Sequence, residues 1–263
     1  MSTRDSFPTS IGTSDLSTIR LLGHDLAGEL LGKVSFGELA FWLAAGTRPT
    51  PEQGRVFDAV LVALADHGFT PTAIAARLTY LSAPDAIQGA IAAGLLGGGS
   101  RFLGVTEDTA RYLATALSTV QHEPPATDAE WDELALDAVR RTKAAGKLVP
   151  GLGHPVHKQG DPRTPVIIDI AREENLFGAH LSLFTAIGRT HASVLGRRLP
   201  LNGAGVCGAA LADIGLPAEL LRGVALLART AGLIGHIAEE MRRPIANDIY
   251  HAVDRNAEYV DPS

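Results

Sequence analysis

From Ser35 onward the chain is a succession of helix start signals, and that punctuation confines it to a helical fold. Ser35-Phe36-Gly37-Glu38 is a capping box, and Thr50-Pro51-Glu52-Gln53 is a second one with proline at the first helical position. Behind the second, Val56, Phe57, Val60, Leu61 and Leu64 recur at spacings of three and four, which buries one face of a helix ending near Asp66-His67-Gly68. Thr70-Pro71 starts a helix running to about residue 81, Pro84 starts one that runs into Gly97-Gly98-Gly99-Ser100, and Thr106 to about Val120 is helical again. Thr127-Asp128-Ala129-Glu130 caps a helix reaching Gly146, and further helices are expected near 164–174, 178–195 and 205–214. Pro217 then opens a long one through about Arg242. Aromatic residues are only 5% and alternating β-branched runs are missing, so strand signals are nearly absent. The expected class is all-α, a multi-helix bundle with short connections. Two exceptions precede it. Residues 1–18 are rich in Ser, Thr, Asp and Gly and read as a loose tail, and the segment from Ile19 to Leu26 can form two strands of a small ribbon. Residues 19–263 read as one domain.

Composition bounds the function. A chain of 263 residues, 46% hydrophobic and 20% charged, has enough apolar material for a full core. A formal net charge of −6 argues against nucleic-acid and anionic-membrane partners, so an anionic ligand has to be met by locally concentrated positive charge. The single cysteine, Cys207, excludes an intramolecular disulfide and a cysteine zinc cage, and a buried inert thiol is the expectation for it. Met1-Ser2-Thr3-Arg4-Asp5 lacks the apolar start of a secretory signal, and no apolar run reaches about 18 residues without a charge. A cytoplasmic location and no membrane span are expected.

The densest chemistry lies in Gly151-Leu152-Gly153-His154-Pro155-Val156-His157-Lys158-Gln159-Gly160-Asp161-Pro162-Arg163. Three glycines and two prolines make it a loop between two helices, with backbone free to approach a ligand. Two imidazoles, a lysine and an arginine on such a loop suit an anion.

This loop resembles the Gly-His-Arg-Val-Tyr-Lys…Asp-Pro-Arg signature of the citrate synthase superfamily, with Pro155 at the usual Arg and His157 where Tyr is frequent. Other stretches extend the resemblance from Ile19 to about Asp261. Ala65-Asp66-His67-Gly68 is similar to the family's Ala-Asp-His-Gly, and Ala228-Arg229-Thr230-Ala231-Gly232-Leu233-Ile234-Gly235-His236 to its Ala-Arg-Thr-x-Gly-x-Ile-x-His. Arg242-Arg243-Pro244 resembles the Arg-Pro that follows. The resemblance implies a large and a small lobe, the small one roughly 150–229, and a substrate pair of a coenzyme A thioester and a small carboxylate. It gives His67, Arg163 and Arg229 as carboxylate-binding residues and Arg243 as a clamp reaching into a neighbouring subunit, hence a homodimer or homotetramer. It gives His154 as the catalytic group that accepts a hydroxyl proton, its pKa raised by a carboxylate-rich site.

Two departures shape the functional reading. Asn202-Gly203-Ala204-Gly205-Val206-Cys207-Gly208 aligns without a gap on the family's Asn-Val-Asp-Phe-Tyr-Ser-Gly, so Ala204 stands where the family has its catalytic aspartate. Asp213, nine residues on, reads as a helix-surface residue rather than a relocated base. Gly99-Ser100-Arg101-Phe102-Leu103-Gly104 is similar to the Gly-Asp-Arg-Phe-Gly-Gly of ATP-citrate lyase rather than to the Gly-Pro-x-His-Gly-Gly of synthases, which points to the lyase branch. By the same resemblance coenzyme A lies against Gly98, Gly99, Gly151, Gly153 and Lys158. His24, His122, His180, His191 and His251 show no metal-ligand spacing and are read as structural or surface residues. No metal and no tightly bound cofactor are expected. Three readings stay open: a citryl-CoA lyase-like enzyme, an enzyme of the same fold for another hydroxyacyl-CoA, and a non-catalytic citrate- and CoA-binding protein.

Overall fold

A computed structural model describes residues 6–120 and 123–262. His122 and the first five residues of the expected tail lie outside the described residues. The chain is all-α. Its helices are α1 (Phe36–Ala45), α2 (Pro51–Ala65), α3 (Pro71–Ser82), α4 (Ile87–Leu96), α5 (Val105–Leu117), α6 (Asp128–Ala144), α7 (Arg163–Glu173), α8 (Ala179–Leu195), α9 (Gly203–Asp213), α10 (Leu221–Arg242) and α11 (Ala246–Arg255).

The start signals act as their chemistry requires. Ser35 Oγ accepts from the Glu38 N–H, and both Thr50 with Gln53 and Thr127 with Glu130 close reciprocal capping boxes. Pro84 does not open α4, which begins at Ile87 without a side-chain cap. Pro217 precedes a single tight turn, Ala218–Leu220, before α10 begins. The helix α11 went unread in the sequence, where it follows the Arg243-Pro244 break. Near the N-terminus β1 (Gly12–Ser14), β2 (Ile19–Leu21) and β3 (His24–Asp25) form an antiparallel ribbon, so three residues of the stretch read as a tail are paired.

The core is one continuous cluster in which Phe41, Phe57, Val60, Leu113, Leu181, Phe184, Leu211 and Leu221 are fully or almost fully enclosed. Each such side chain contributes about 1.5–3 kcal/mol on removal from water. The predicted stripe on α2 is this core face, with Val56, Phe57, Val60 and Leu64 inside and Val62 out. Residues 218–242 are, among the described residues, the one helical stretch long and apolar enough to cross a membrane. Here α10 packs against α2, α3, α4 and α5 and buries Arg229 and Glu240, the pattern of a core helix.

Two contacts bring the site together. A Cβ at Gly232 of α10 would drive into the Ala65 carbonyl oxygen at the end of α2, so these helices cross at backbone contact. A Cβ at Gly205 of α9 would stand 2.6 Å from Gly151 Cα, so the start of α9 lies directly on the loop that precedes α7.

Candidate active site

Four separated segments converge: the end of α2 with Asp66 and His67, the loop 151–163, the start of α9, and the middle of α10 with Arg229 and His236. The close helix crossing fixes the first against the last. Arg229 is 5% exposed, with Nη1 3.8 Å from Asp66 Oδ1, and its Nε and Nη1 find no hydrogen-bond acceptor among the described residues. Burial pulls the guanidinium below its ordinary pKa, opposed by Asp66. A buried, underpaired arginine fork is an expensive arrangement unless an anion completes it, and a carboxylate fits it in two-pronged fashion.

The loop 151–163 is stitched to the start of α9. Gly151 and Gly153 hold φ of 80° and 82°, the left-handed region, so their glycine identity follows from backbone shape. The Asn202 N–H donates to the Gly151 carbonyl and Asn202 Nδ2 to the Gly153 carbonyl. The Gly153 N–H donates to Pro200 at 2.7 Å, so it is not the free donor the sequence suggested for a coenzyme. Lys158 is exposed at the outer edge, whereas Gly98 is buried against Leu103 and Leu226 and Gly99 is exposed with open space above it.

Asp161, 3% exposed, ties the two segments together. Its Oδ1 accepts from the backbone N–H and Nε of Arg163, and its Oδ2 accepts from Arg163 Nη2 at 2.8 Å and from the Gly203 N–H at 2.7 Å. Burial alone would raise this carboxyl's pKa, but these four donors hold it far below the usual range. Arg163 also donates Nη1 to the Ala63 carbonyl at 3.1 Å, so most of its fork is engaged inside the protein. That amends its expected role: Arg163 braces α2, the loop and α9, with one N–H on each terminal nitrogen left for a ligand. Gly203 makes room for it, since a Cβ there would overlap the guanidinium.

His154 differs from expectation in its proton. Its Nδ1 accepts from the Val156 N–H at 3.1 Å and the His157 N–H at 2.9 Å. Backbone N–H groups only donate, so the ring proton sits on Nε2, the nitrogen left for a ligand. Burial, then the neighbouring His157, lower its pKa rather than raise it, with Asp161 opposing. His154 is therefore set to donate a hydrogen bond rather than to accept a proton.

His157, one of the two imidazoles of the loop and given no role by the resemblance, stands against the His154 and His67 rings. Its ring centroid lies 4.4 Å from that of His154 and 5.4 Å from that of His67, and His67 and His154 are 5.2 Å apart. The i, i+3 spacing of His154 and His157 on a sharply bent loop was the available signal. One nitrogen from each ring lies within 4.8 Å of the others, a grouping that could hold a metal ion and that sequence spacing did not foresee. The loop opposes such use, because a metal on His154 Nε2 would drive the proton to Nδ1, against two backbone N–H groups.

Four further residues singled out in the sequence lie outside this cluster of side chains. Arg243 is exposed at the far end of α10, 14 residues beyond Arg229 and thus about 21 Å along the axis, so it does not complete its own chain's pocket. Asp213 is not on the helix surface. Its buried carboxylate accepts from the N–H groups of Gly178, His180 and Leu181 and from His180 Nδ1, capping α8. Cys207 is fully buried, which pushes its thiol up to about 12. Ala204 sits part-buried at the second position of α9, behind the Asn202 cap.

Fold and site together define a class: an all-α protein whose pocket sets a buried arginine and three imidazoles at the junction of two helix ends and a glycine loop. The chain belongs to the citrate synthase C-terminal domain family, whose model matches residues 19–251. It is similar to citryl-CoA lyase from Hydrogenobacter thermophilus, with 28% identity and a TM-score of 0.84, covering 98% of this chain and 95% of that one. A citrate synthase from Deinococcus radiodurans is 28% identical over 255 residues, 91% of this chain, and the chain spans only 61% of that relative's length. The fold is also that of ATP citrate lyase from Methanothrix soehngenii in complex with citrate and coenzyme A, with a TM-score of 0.79 and 23% identity, covering all of this chain and 43% of that one.

Proposed function

We propose that this chain is a citryl-CoA lyase-like enzyme that cleaves or forms the C–C bond between an acyl-CoA and an oxo acid such as oxaloacetate. The observation that carries this reading is Arg229: a guanidinium 5% exposed, with two nitrogens lacking acceptors, 3.8 Å from Asp66, whose neighbour in sequence, His67, stands with the His154 and His157 rings. An anionic, several-oxygened ligand satisfies all of these groups at once. Arg229 and the free N–H groups of Arg163 hold its carboxylates, with His67 beside them. Arg243 is assigned to the neighbouring subunit's pocket, which makes the active unit a dimer or tetramer. The coenzyme A thioester is a substrate here, with Gly98, Gly99, Gly151 and Lys158 lining its approach. The likeness in fold to a citryl-CoA lyase, with a TM-score of 0.84 over 98% of this chain, supports the lyase reading.

The chemistry is a Claisen condensation or its reverse. In bond formation the enolate carbon of the acyl-CoA attacks the oxo-acid carbonyl carbon, and the Nε2–H of His154 is hydrogen-bonded to the oxygen that becomes alkoxide. In cleavage the hydroxyl proton must leave. The neutral form of His154 already carries its Nε2 proton, so the neighbouring His67 and His157 rings are the groups placed to take it. Alanine at position 204 has no proton to return to the enolate, so water or the imidazole that took the hydroxyl proton returns it. The altered position also leaves a second reading, an enzyme of this fold acting on a different hydroxyacyl-CoA. Incubation with citryl-CoA, malyl-CoA and related thioesters, followed by oxo-acid release, separates the two. Oxaloacetate from citryl-CoA supports the first and release from another thioester alone supports the second. Binding of citrate or coenzyme A without turnover leaves a binding protein. A monomer by light scattering at micromolar concentration removes the Arg243 assignment.

A further inference from the structure

Behind Asp66 runs a chain of polar side chains that the reaction chemistry above does not use. Arg77 on α3 is 0% exposed, a burial few arginines show without a task. Its Nη1 donates to Glu240, itself 5% exposed, at 2.8 Å, and its Nη2 bonds Glu239. Its Nε and Nη2 both lie 3.1 Å from Nδ1 of His236 on α10. His236 Nε2 in turn stands 2.9 Å from Asp66 Oδ1, and Asp66 Oδ2 accepts from the Gly68 N–H at 2.7 Å.

We propose that Arg77 and His236 are positioning residues that hold Asp66, and through it Arg229 and the His67 turn, in the arrangement that receives a substrate carboxylate. The direction of every bond is forced. A guanidinium only donates, so His236 Nδ1 must accept, its proton must sit on Nε2, and Nε2 must donate to Asp66. Asp66 is thereby fixed as an acceptor, although its side chain is 43% exposed and would otherwise swing freely. Burial raises the Asp66 pKa, but the bonds from Gly68 and His236 outweigh it, so the carboxylate stays ionised. From this position it performs two tasks. It closes the turn that presents His67, and it faces Arg229 at 3.8 Å, too long for a hydrogen bond, which orients the guanidinium while leaving its N–H groups for a ligand. Glu240 anchors the far end, accepting from Arg77 and from the N–H groups of Ile245 and Ala246 at the start of α11. The relay thus runs from the α10–α11 junction, through a buried arginine, to the pocket.

This inference rests on the carboxylate reading of the pocket, and two measurements keep their failures apart. The first needs no ligand. Long-range 1H–15N correlation spectra of histidine-labelled protein should show His236 protonated at Nε2 and bare at Nδ1. A proton on Nδ1 overturns the relay whatever the protein binds. The second uses citrate as probe, with binding followed by calorimetry on the full chain. His236→Leu, which cuts the relay, should weaken citrate about tenfold or more while coenzyme A binding stays as in wild type. His236→Gln should bind citrate within about threefold of wild type, because its amide oxygen can accept from Arg77 and its amide nitrogen can donate to Asp66. Equal loss in Leu and Gln variants, or no loss in either, refutes the positioning role. Absence of citrate binding by wild type instead refutes the carboxylate reading and leaves the first measurement to decide the relay. Arg77→Met serves only as a stability control, since it strands buried Glu240 without its partner.

Discussion

Ala204→Asp tests whether the pocket still serves enolate chemistry. Residue 204 is the second position of α9, and a helix N-terminus stabilises an anion by about 0.3–1 kcal/mol, and by up to about 2 where partly buried. With about 1.4 kcal/mol per unit, the start of α9 would lower the new carboxyl's pKa by about 0.2–1.5 units. Arg163, whose guanidinium abuts the preceding Gly203, acts in the same direction, while the part-buried setting of residue 204 and the ionised Asp161, which holds the Gly203 N–H, oppose both. From an ordinary value near about 3.9 the new aspartate is ionised at pH 7, the form needed to take a methyl proton from acetyl-CoA. A positioned base contributes about 10²–10⁴-fold, so deuterium incorporation into the acetyl methyl group in D2O, followed by NMR, should rise by at least the lower of these over wild type. The Asn202 cap lies outside the change, so the melting temperature should stay close to wild type. If Ala204→Asp folds, binds coenzyme A and exchanges no faster than wild type, the loss of the carboxylate is not the only alteration. The citryl-CoA reading then gives way to a different acyl-CoA.

Arg229→Gln should weaken citrate by about ten- to a hundredfold, the worth of charge-assisted hydrogen bonds, while leaving the helical content intact. Unchanged affinity by calorimetry removes Arg229 from the site. Asp161, its pKa depressed in the folded state, contributes stability that is fully present above its unfolded value near about 3.9 and is lost as pH falls through and below that value. The difference in denaturant midpoint between wild type and Asp161→Asn should therefore be constant from about pH 5 to 8 and shrink below about pH 4, with a shallower acid limb in the variant. An acid limb identical in the two proteins contradicts the bracing role. Cys207, fully buried with its thiol pushed up to about 12, should resist iodoacetamide at pH 8 until the protein unfolds. Modification of the native protein as fast as of the unfolded chain refutes that burial.

Much of this was legible in advance because the responsible interactions are local. Ser35, Thr50, Thr70 and Thr127 announce their helices through side chains that reach three residues along, a distance the sequence itself displays. The α11 helix was missed because it lacks such a cap, its first N–H groups being met by Glu240 from α10. The candidate site residues His67, His154, Arg163 and Arg229 were singled out by motif resemblance, but the state in which the fold holds them was not legible. That Arg163 is largely engaged and that Asp213 caps α8 depend on distant partners, Ala63 for Arg163 and Leu181 for Asp213, while the Nε2 proton of His154 depends on how the loop folds its own Val156 and His157 N–H groups back onto the ring. Arg77 was silent for the same reason, since a lone arginine within α3 gives no hint that it will end up enclosed, and His236 stood in a matched motif that did not show its partners, Arg77 and Asp66.

The crossing at Gly232 and Ala65 works as a fixed stop between two walls of the pocket. With no side chain between the helices there is nothing to trim or enlarge, so the spacing from the His67 turn to Arg229 cannot be tuned by ordinary substitution; a larger residue at 232 can only pry α10 and α2 apart. Accommodation of a longer or shorter acid must then come from the opposite wall, the loop from Gly151 to Arg163, where Pro155, Val156, Lys158 and Gln159 are exposed and free to vary. If the pocket takes a carboxylate as proposed, relatives that share this stop should keep one common grip on it and differ in what lies beyond.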